Sequence, residues 1–198
     1  QPVFKMQLPY LKPLLCVIDE AHCISQWGFD FRTSYLDVCE LRDVFPKVPV
    51  MALTATAGHD VVNDIQQVLH LGNAQIKSQP FIRPLLKYHL RHVMPSPEFV
   101  KRWLDFAGNP GILYFRSRKK CESWNQKLLQ LGLKSACYHA GLTVAERKHI
   151  QQNWMQNAIT VLCATTAFGM GVDKADVRLV IHIDLPESPE AYYQESGR

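Results

Sequence analysis

Apolar and polar positions along this chain alternate between short solid runs and amphipathic stretches. Leu14 to Ile18 is an unbroken apolar run without helical spacing, the pattern of a strand covered on both faces of a parallel sheet. Tyr35, Val38, Leu41 and Phe45 recur at helical spacing and stop at Pro46, which predicts one helix. Val48 to Leu53 reads as a second buried strand, with Thr54-Ala55-Thr56-Ala57 as its exit loop. Val61, Ile65, Val68 and Leu69 mark a helix over 61–71, with Gly72 as its C-cap. Ala74 to Ser78 predicts a third short strand.

Residues 79–97 carry Pro80, Pro84, Pro95 and Pro97 and read as a boundary, because the same rhythm restarts beyond them. Leu85 to Leu90 is strand-like. Ser96-Pro97 places an N-cap before a proline at the first helical position and opens a helix to Phe106. Gly111 to Phe115, Ser135 to Tyr138, Ile159 to Cys163 and Arg178 to Ile183 predict strands. Between them lie a helix over 119–131 ended by Gly132 and one opened by the capping box Thr143-Val144-Ala145-Glu146. Ser188-Pro189-Glu190 starts a last helix. Strands alternating with helices define an α/β class, here two parallel sheets in tandem over 1–79 and 80–198. Such a pair forms a cleft suited to a nucleotide.

Composition narrows this little. The 198 residues are 47% hydrophobic, as in an ordinary globular chain. No charged-then-apolar leader and no membrane-length apolar run is present, so no membrane partner is expected and the protein reads as intracellular. None of Cys16, Cys23, Cys39, Cys121, Cys137 and Cys163 pairs at C-x-x-C spacing; they read as small buried hydrophobes in a reducing compartment. A net charge of +4 permits nucleic-acid binding without arguing for it.

The candidate chemistry begins where the first strand ends. Asp19 and Glu20 sit at its carboxyl end, where ligands bind in open α/β sheets. Two adjacent acids there suit a magnesium site: Asp19 holds the ion through its water shell, and Glu20 orients or deprotonates the water attacking a γ-phosphate. A strand end with two solvated acids is the plain alternative. Trp27, Phe29 and Phe31 interleave with Gly28 and Arg32 in a polar loop, as suits stacking on unpaired bases; a core under a loop fits the pattern as well. Thr54 and Thr56 can bond His22 or simply shape a turn. Ser117, Arg118, His139, Thr165 and Thr166 follow strands of the second half and can hold a strand by its phosphates; for His139 a packed histidine fits equally. Gly169 and Gly171 permit a tight backbone path. Asp173 suits a ribose hydroxyl, a magnesium-bound water or a lysine. Gln194 and Arg198 lie one turn apart on the last helix, where an arginine can stabilise phosphoryl-transfer charge or merely be solvated.

Asp19-Glu20-Ala21-His22 running into the aromatic loop up to Arg32 resembles motif II and the aromatic-rich loop of the RecQ family of superfamily 2 DNA helicases. The resemblance covers nearly the whole chain. Ala52 to Ala57 is similar to motif III and Gly111 to Arg118 to motif IV. Tyr138-His139-Ala140-Gly141-Leu142 resembles the family's next signature, Ala164 to Lys174 motif V, and Tyr192 to Arg198 the front of motif VI.

The resemblance implies two RecA-like lobes, the first lacking its N-terminal part, in an ATP- and magnesium-dependent enzyme. Such enzymes move 3′ to 5′ along one DNA strand and unwind duplexes in repair and recombination. Asp19 and Glu20 would serve metal and water, and His22, Thr54 and Thr56 would couple hydrolysis to motion. Trp27, Phe29, Phe31 and Arg32 would sense single-stranded DNA, and partly duplex DNA would be the substrate. The family commonly has histidine where this chain has Phe29, a ring that can only stack. No G-x-x-x-x-G-K-[ST] phosphate loop occurs in these residues, so the chain by itself is expected not to turn over ATP. Intracellular placement with chromosomal DNA follows from the same resemblance.

Overall fold

The computed structural model describes residues 6–25, 32–79, 82–108, 110–169 and 172–198. Its contacts divide the chain into two compact units, Gln1–Ile82 and Arg83–Arg198.

In the first unit, strand β1 (Cys16–Ile18) pairs in parallel with β2 (Val50–Ala52), with Cys16, Val17 and Ile18 opposite Val50, Met51 and Ala52. Helix α1 (Thr33–Leu36), a 3-10 turn over Asp37–Cys39 and helix α2 (Glu40–Val44) join them. Helix α3 (His59–Val68) follows β2. Ile18, Ala21, Ile24, Val61, Ile65 and Leu69 form the core, so one face of the sheet is covered by α3 and the turn after β1.

Four sequence expectations need correction here. The strand is buried on one face only: Val17 is 52% and Met51 47% exposed. The single helix over 35–45 is broken at its centre. A 3-10 turn aligns side chains three apart, and it brings Tyr35 and Val38 together onto the core. Gly72 is not the cap of α3. His70 takes the left-handed conformation instead, at φ 53°. Leu71 N–H then donates to Gln66 O (2.8 Å) and His70 N–H to Gln67 O (3.2 Å), the paired bonds of a Schellman motif. Residues 74–78 form no strand; β1 and β2 are the whole sheet among the described residues, and 74–78 lie exposed and pair with neither.

The second unit holds four parallel strands in the order β4-β5-β3-β6: β3 (Gly111–Tyr114), β4 (Ser135–Tyr138), β5 (Val161–Ala164) and β6 (Leu179–His182). Every residue of β3 and β5 is buried, as their solid apolar sequences require. Helices α4 (Pro97–Ala107) and α5 (Arg118–Gln130) cover one face through Val100, Leu104, Trp124 and Leu128. Helix α6 (Val144–Met155) covers the other, where Trp154 packs with Ile112, Tyr114, Leu162 and Phe168. Helix α7 (Pro189–Ser196) ends the unit.

The start signals hold. Ser96 Oγ accepts from Phe99 N–H and Ser188 Oγ from Ala191 N–H; Ser117, not marked as a cap from sequence, accepts from Lys120 N–H. Thr143 and Glu146 form the full capping box. Gly132, at φ 80°, closes α5. Residues 85–90 are not a strand: Pro84 sets a turn in which Leu86 N–H donates to Arg83 O (3.0 Å), and Leu85 and Leu90 stay exposed. No helix among the described residues is long and apolar enough to cross a membrane.

The left-handed histidine generates a test. A left-handed L-residue costs about 1–2 kcal/mol that glycine avoids, set against glycine's larger unfolded entropy. His70→Gly is therefore expected to stabilise the first unit by roughly 0.5–1 kcal/mol, read as a higher urea midpoint.

Candidate functional site

In the first unit, the chain turns sharply after β1. Ala21 N–H donates to Leu53 O and Leu53 N–H to Ile18 O, so the exits of β1 and β2 are stitched together. Glu20 sits in the left-handed region at φ 50°. That conformation costs free energy in a non-glycine residue, and it is held by the 3-10 turn Ala21–Ile24 beyond it. Asp19 Oδ1 accepts from Glu20 N–H at 2.8 Å.

His22 is buried between these groups. Its Nδ1 lies 2.9 Å from Thr54 Oγ1 and 3.3 Å from Glu20 Oε2. Thr54 Oγ1 donates to Thr56 O at 3.1 Å, and a carboxylate only accepts, so both partners require a proton on Nδ1. Nε2 is then the acceptor, facing the Cys23 thiol at 3.7 Å. The structure thus joins Glu20, His22 and Thr54, residues from the two strand exits. Thr56 contributes through its backbone; its buried Oγ1 has no hydrogen-bond partner among the described residues. Ser25 Oγ donates to Asp64 at 2.6 Å, fastening the turn to α3.

Asp19 is exposed and Glu20 partly so. Among the described residues no group of three His, Cys, Asp or Glu gathers to hold a metal. Two carboxylates without a third ligand fit an ion that keeps most of its water and takes further ligands from phosphate, as magnesium does. Arg32 N–H donates to Cys23 O at 3.0 Å. Trp27, Phe29, Phe31 and Gly171 lie outside the described residues.

In the second unit, the residues singled out from sequence lie beyond the carboxyl ends of the strands, but several are already engaged. Ser117 spends its oxygen as the cap of α5. His139 is buried; its Nδ1 accepts from Gly141 N–H at 3.2 Å and its Nε2 lies 3.1 Å from Glu122. A Cβ at Gly141 would sit 3.3 Å from Arg118 Nη1. Thr165 is buried, with Ala167 N–H at 3.5 Å from its Oγ1, whereas Thr166 and Asp173 are exposed.

Gln194 and Arg198 lie toward the end of the chain, with Gln194 half-buried in α7. Arg198 Nη1 donates to Val172 O at 3.4 Å, and its Nη2 would lie 3.2 Å from a Cβ at Gly169. Gly169 therefore leaves room for the guanidinium. Burial pushes the Tyr114 hydroxyl up from its ordinary range, and the neighbouring Arg198 cation pulls the other way.

Two groups were not found from sequence. His182 Nε2 bonds Glu195 Oε2 at 2.8 Å, joining β6 to α7. Asp184 accepts from Lys120 Nζ and from Arg116 N–H, while Arg116 Nη2 reaches Glu187 at 3.4 Å. Burial acts to raise the Asp184 pKa, but these two donors outweigh it and hold the carboxyl below its usual range. Both groups join residues of different elements.

With this geometry in hand, comparison gives the class. The profile of the family described as the helicase conserved C-terminal domain matches residues 97–198, just over half of the chain, and the chain belongs to that family. The chain is 46% identical over 189 residues to the RecQ-like DNA helicase blm-1 of Caenorhabditis elegans, which covers 92% of this chain and 19% of that protein. It is 43% identical to the ATP-dependent DNA helicase RecQ of Haemophilus influenzae, covering 98% of the chain and 32% of the relative. The RecQ-like DNA helicase BLM of Xenopus laevis is 45% identical, over 98% of the chain and 15% of its own length. The resemblance to RecQ helicases is thereby met, and the chain spans at most about a third of these three relatives. Among solved structures, Saccharomyces cerevisiae Dbp5 L327V bound to RNA and ADP BeF3 matches with a TM-score of 0.75 at 19% identity, covering 99% of this chain and 53% of that one. That likeness establishes a RecA-like fold.

The Asp184 cluster makes the second prediction. Its carboxyl is depressed in the folded state, so its contribution is full above the ordinary carboxylate range and is lost as pH falls through the folded value. Lys120→Met should lower the urea midpoint at neutral pH, with the deficit shrinking towards about pH 3.

Proposed function

We propose that this chain is part of the motor core of an ATP-dependent DNA helicase of RecQ type, coupling hydrolysis to 3′ to 5′ movement along single-stranded DNA in repair or recombination. The observation that carries the reading is the Glu20–His22–Thr54 linkage directly after β1. It ties a strand-end acid to the exit of the neighbouring strand through one buried imidazole. RecQ helicases are the relatives at 42–46% identity, which supports the same reading.

In this proposal Asp19 holds magnesium by way of its water shell, and the ion supplies neutralisation of phosphate charge when bound. Glu20 orients the attacking water and accepts its proton. Its left-handed backbone aims the carboxylate while His22 Nδ1–H steadies one oxygen. A change in Glu20 would move His22 and, through Thr54, the exit of β2; this is the coupling role given to His22, Thr54 and Thr56. Trp27, Phe29, Phe31 and Arg32 are assigned to unpaired bases, and Arg118, Thr166 and the backbone around Ser117, His139 and Thr165 to phosphates. Gly169, Gly171 and Asp173 are assigned to the nucleotide. Gln194 and Arg198 are assigned to the charge of the transferred phosphoryl group. Partly duplex DNA is the proposed substrate, and a place with chromosomal DNA inside the cell follows from it.

Phosphate release with single-stranded DNA present tests the reading. The 198 residues by themselves are expected to release none; turnover abolished by Glu20→Gln would overturn that expectation. In the full-length protein, Trp27→Ala should weaken DNA stimulation more than the basal rate, and equal losses would remove the sensing role. Activation by RNA in place of DNA would overturn the choice of substrate.

Thr54→Val gives a finer test. It removes the hydroxyl that His22 and the Thr56 backbone share. A lost hydrogen bond of this kind costs about 1 kcal/mol. The variant is expected to fold, to bind DNA, and to lose most DNA-stimulated ATPase while retaining basal turnover.

A further inference from the structure

The carboxyl ends of β3 and β6 carry a three-part layer to which the sequence reading gave no role. Tyr114 and His182 are paired in register as the last residues of these strands. Their rings stack with centroids 5.4 Å apart and planes 16° from parallel. His182 Nε2 donates onward to Glu195 Oε2 at 2.8 Å, with both side chains about one-tenth exposed. On the other side, Tyr114 O–H donates to Phe168 O at 3.1 Å, in the loop after β5. Tyr192, three residues before Glu195, closes over the same imidazole at 4.9 Å.

The layer therefore spans from the loop preceding Gly169 to the middle of α7. Glu195 lies on α7 next to Gln194; Arg198, expected on the same helix, falls two residues past its end and donates to Val172 O. Arg83 supports the helix from its far end: its Nη1 donates to Tyr193 O at 3.2 Å, its cation lies 3.8 Å over the Tyr193 ring, and a Cβ at Gly197 would collide with it. A cation bonded to a carbonyl near a helix C-terminus is favourable to the helix dipole.

A buried charge is costly unless paired, so this arrangement invites a purpose beyond packing. We propose that Tyr114, His182 and Glu195 are positioning residues that lock α7 and the loop around Gly169 into one body, fixing where Gln194 and Arg198 point. The proposal rests on the helicase reading for its consequence and on the geometry of this unit for its mechanism. A displaced catalytic group costs rate rather than ground-state binding when it acts in the transition state, and a misplacement of ~1 Å can cost ~10²-fold.

The test uses two readouts. In the full-length protein, Glu195→Ala should lower kcat for DNA-stimulated ATP hydrolysis about tenfold or more, with KM for ATP and oligonucleotide affinity little changed. Glu195→Gln, which keeps an acceptor for His182, should retain most of kcat. In the same proteins, amide exchange of Tyr193 to Ser196 should speed up about tenfold in Glu195→Ala and far less in Glu195→Gln. Unchanged exchange in Glu195→Ala overturns the proposal. So does a rise in KM at constant kcat, or a Glu195→Gln protein as impaired as Glu195→Ala. Should Glu195→Ala fail to fold, Tyr114→Phe decides: it keeps the ring stack, cuts the tie to Phe168 O, and should lower kcat, whereas an unchanged kcat overturns the layer's role. If the unaltered protein hydrolyses no ATP, the helicase reading falls while the exchange result still decides the positioning claim.

Discussion

A strand in the middle of a parallel sheet must be apolar on both faces, because helices occupy both, and its polar groups can emerge only at its ends. Strand β3 obeys this throughout: all four residues are buried, flanked by β5 and β6. The constraint determines where chemistry can sit. Arg116, Ser117 and Arg118 appear as soon as the strand ends, beside Asp184 beyond β6 and the Thr165 loop beyond β5. Even Tyr114, the last strand residue, keeps its ring in the core and extends only its hydroxyl, to Phe168 O. Burial of the strands and clustering of polar groups at one end are the same fact seen twice.

The first unit follows the rule with less material. Three paired residues carry the sheet, and a single core under one face holds it. Its order is concentrated in hydrogen bonds at the strand exits, where Ala21, Leu53, His22 and Thr54 interlock. A left-handed Glu20 is tolerated there because both sides of it are fastened, and strain of this kind is kept only where surroundings over-determine the backbone.

What could be read from sequence was what is local. The three caps at Ser96, Thr143 and Ser188 depend on residues within one turn, and each was visible as a residue type at a fixed spacing, whereas Ser117, read as a phosphate contact, proves to be a fourth cap. The solid apolar strands of the second unit were visible for the same reason. Residues 74–78 and 85–90 misled because a strand exists only with a partner, and pairing is not encoded in the run itself. His70 was missed because nothing marks a histidine for the left-handed region while a glycine stands two residues on. Of the candidate site, Asp19, Glu20, His22 and Thr54 were legible from their order, and the structure brings the last three together. His182 with Glu195 and Lys120 with Asp184 were illegible, since each depends on how two separate elements pack, which no local spacing encodes.

The half-covered sheet of the first unit has a bearing on handling. Val17 and Met51 face solvent side by side, and Leu14, Leu15 and Leu53 are exposed at the ends of the same two strands. With two strands among the described residues, each also leaves one ladder edge without a partner among them. Apolar area beside an open edge is the combination that lets identical chains add to one another. Were copies of this chain to associate, a patch a few residues wide would be the place for it, and salts that strengthen apolar burial would favour such contact.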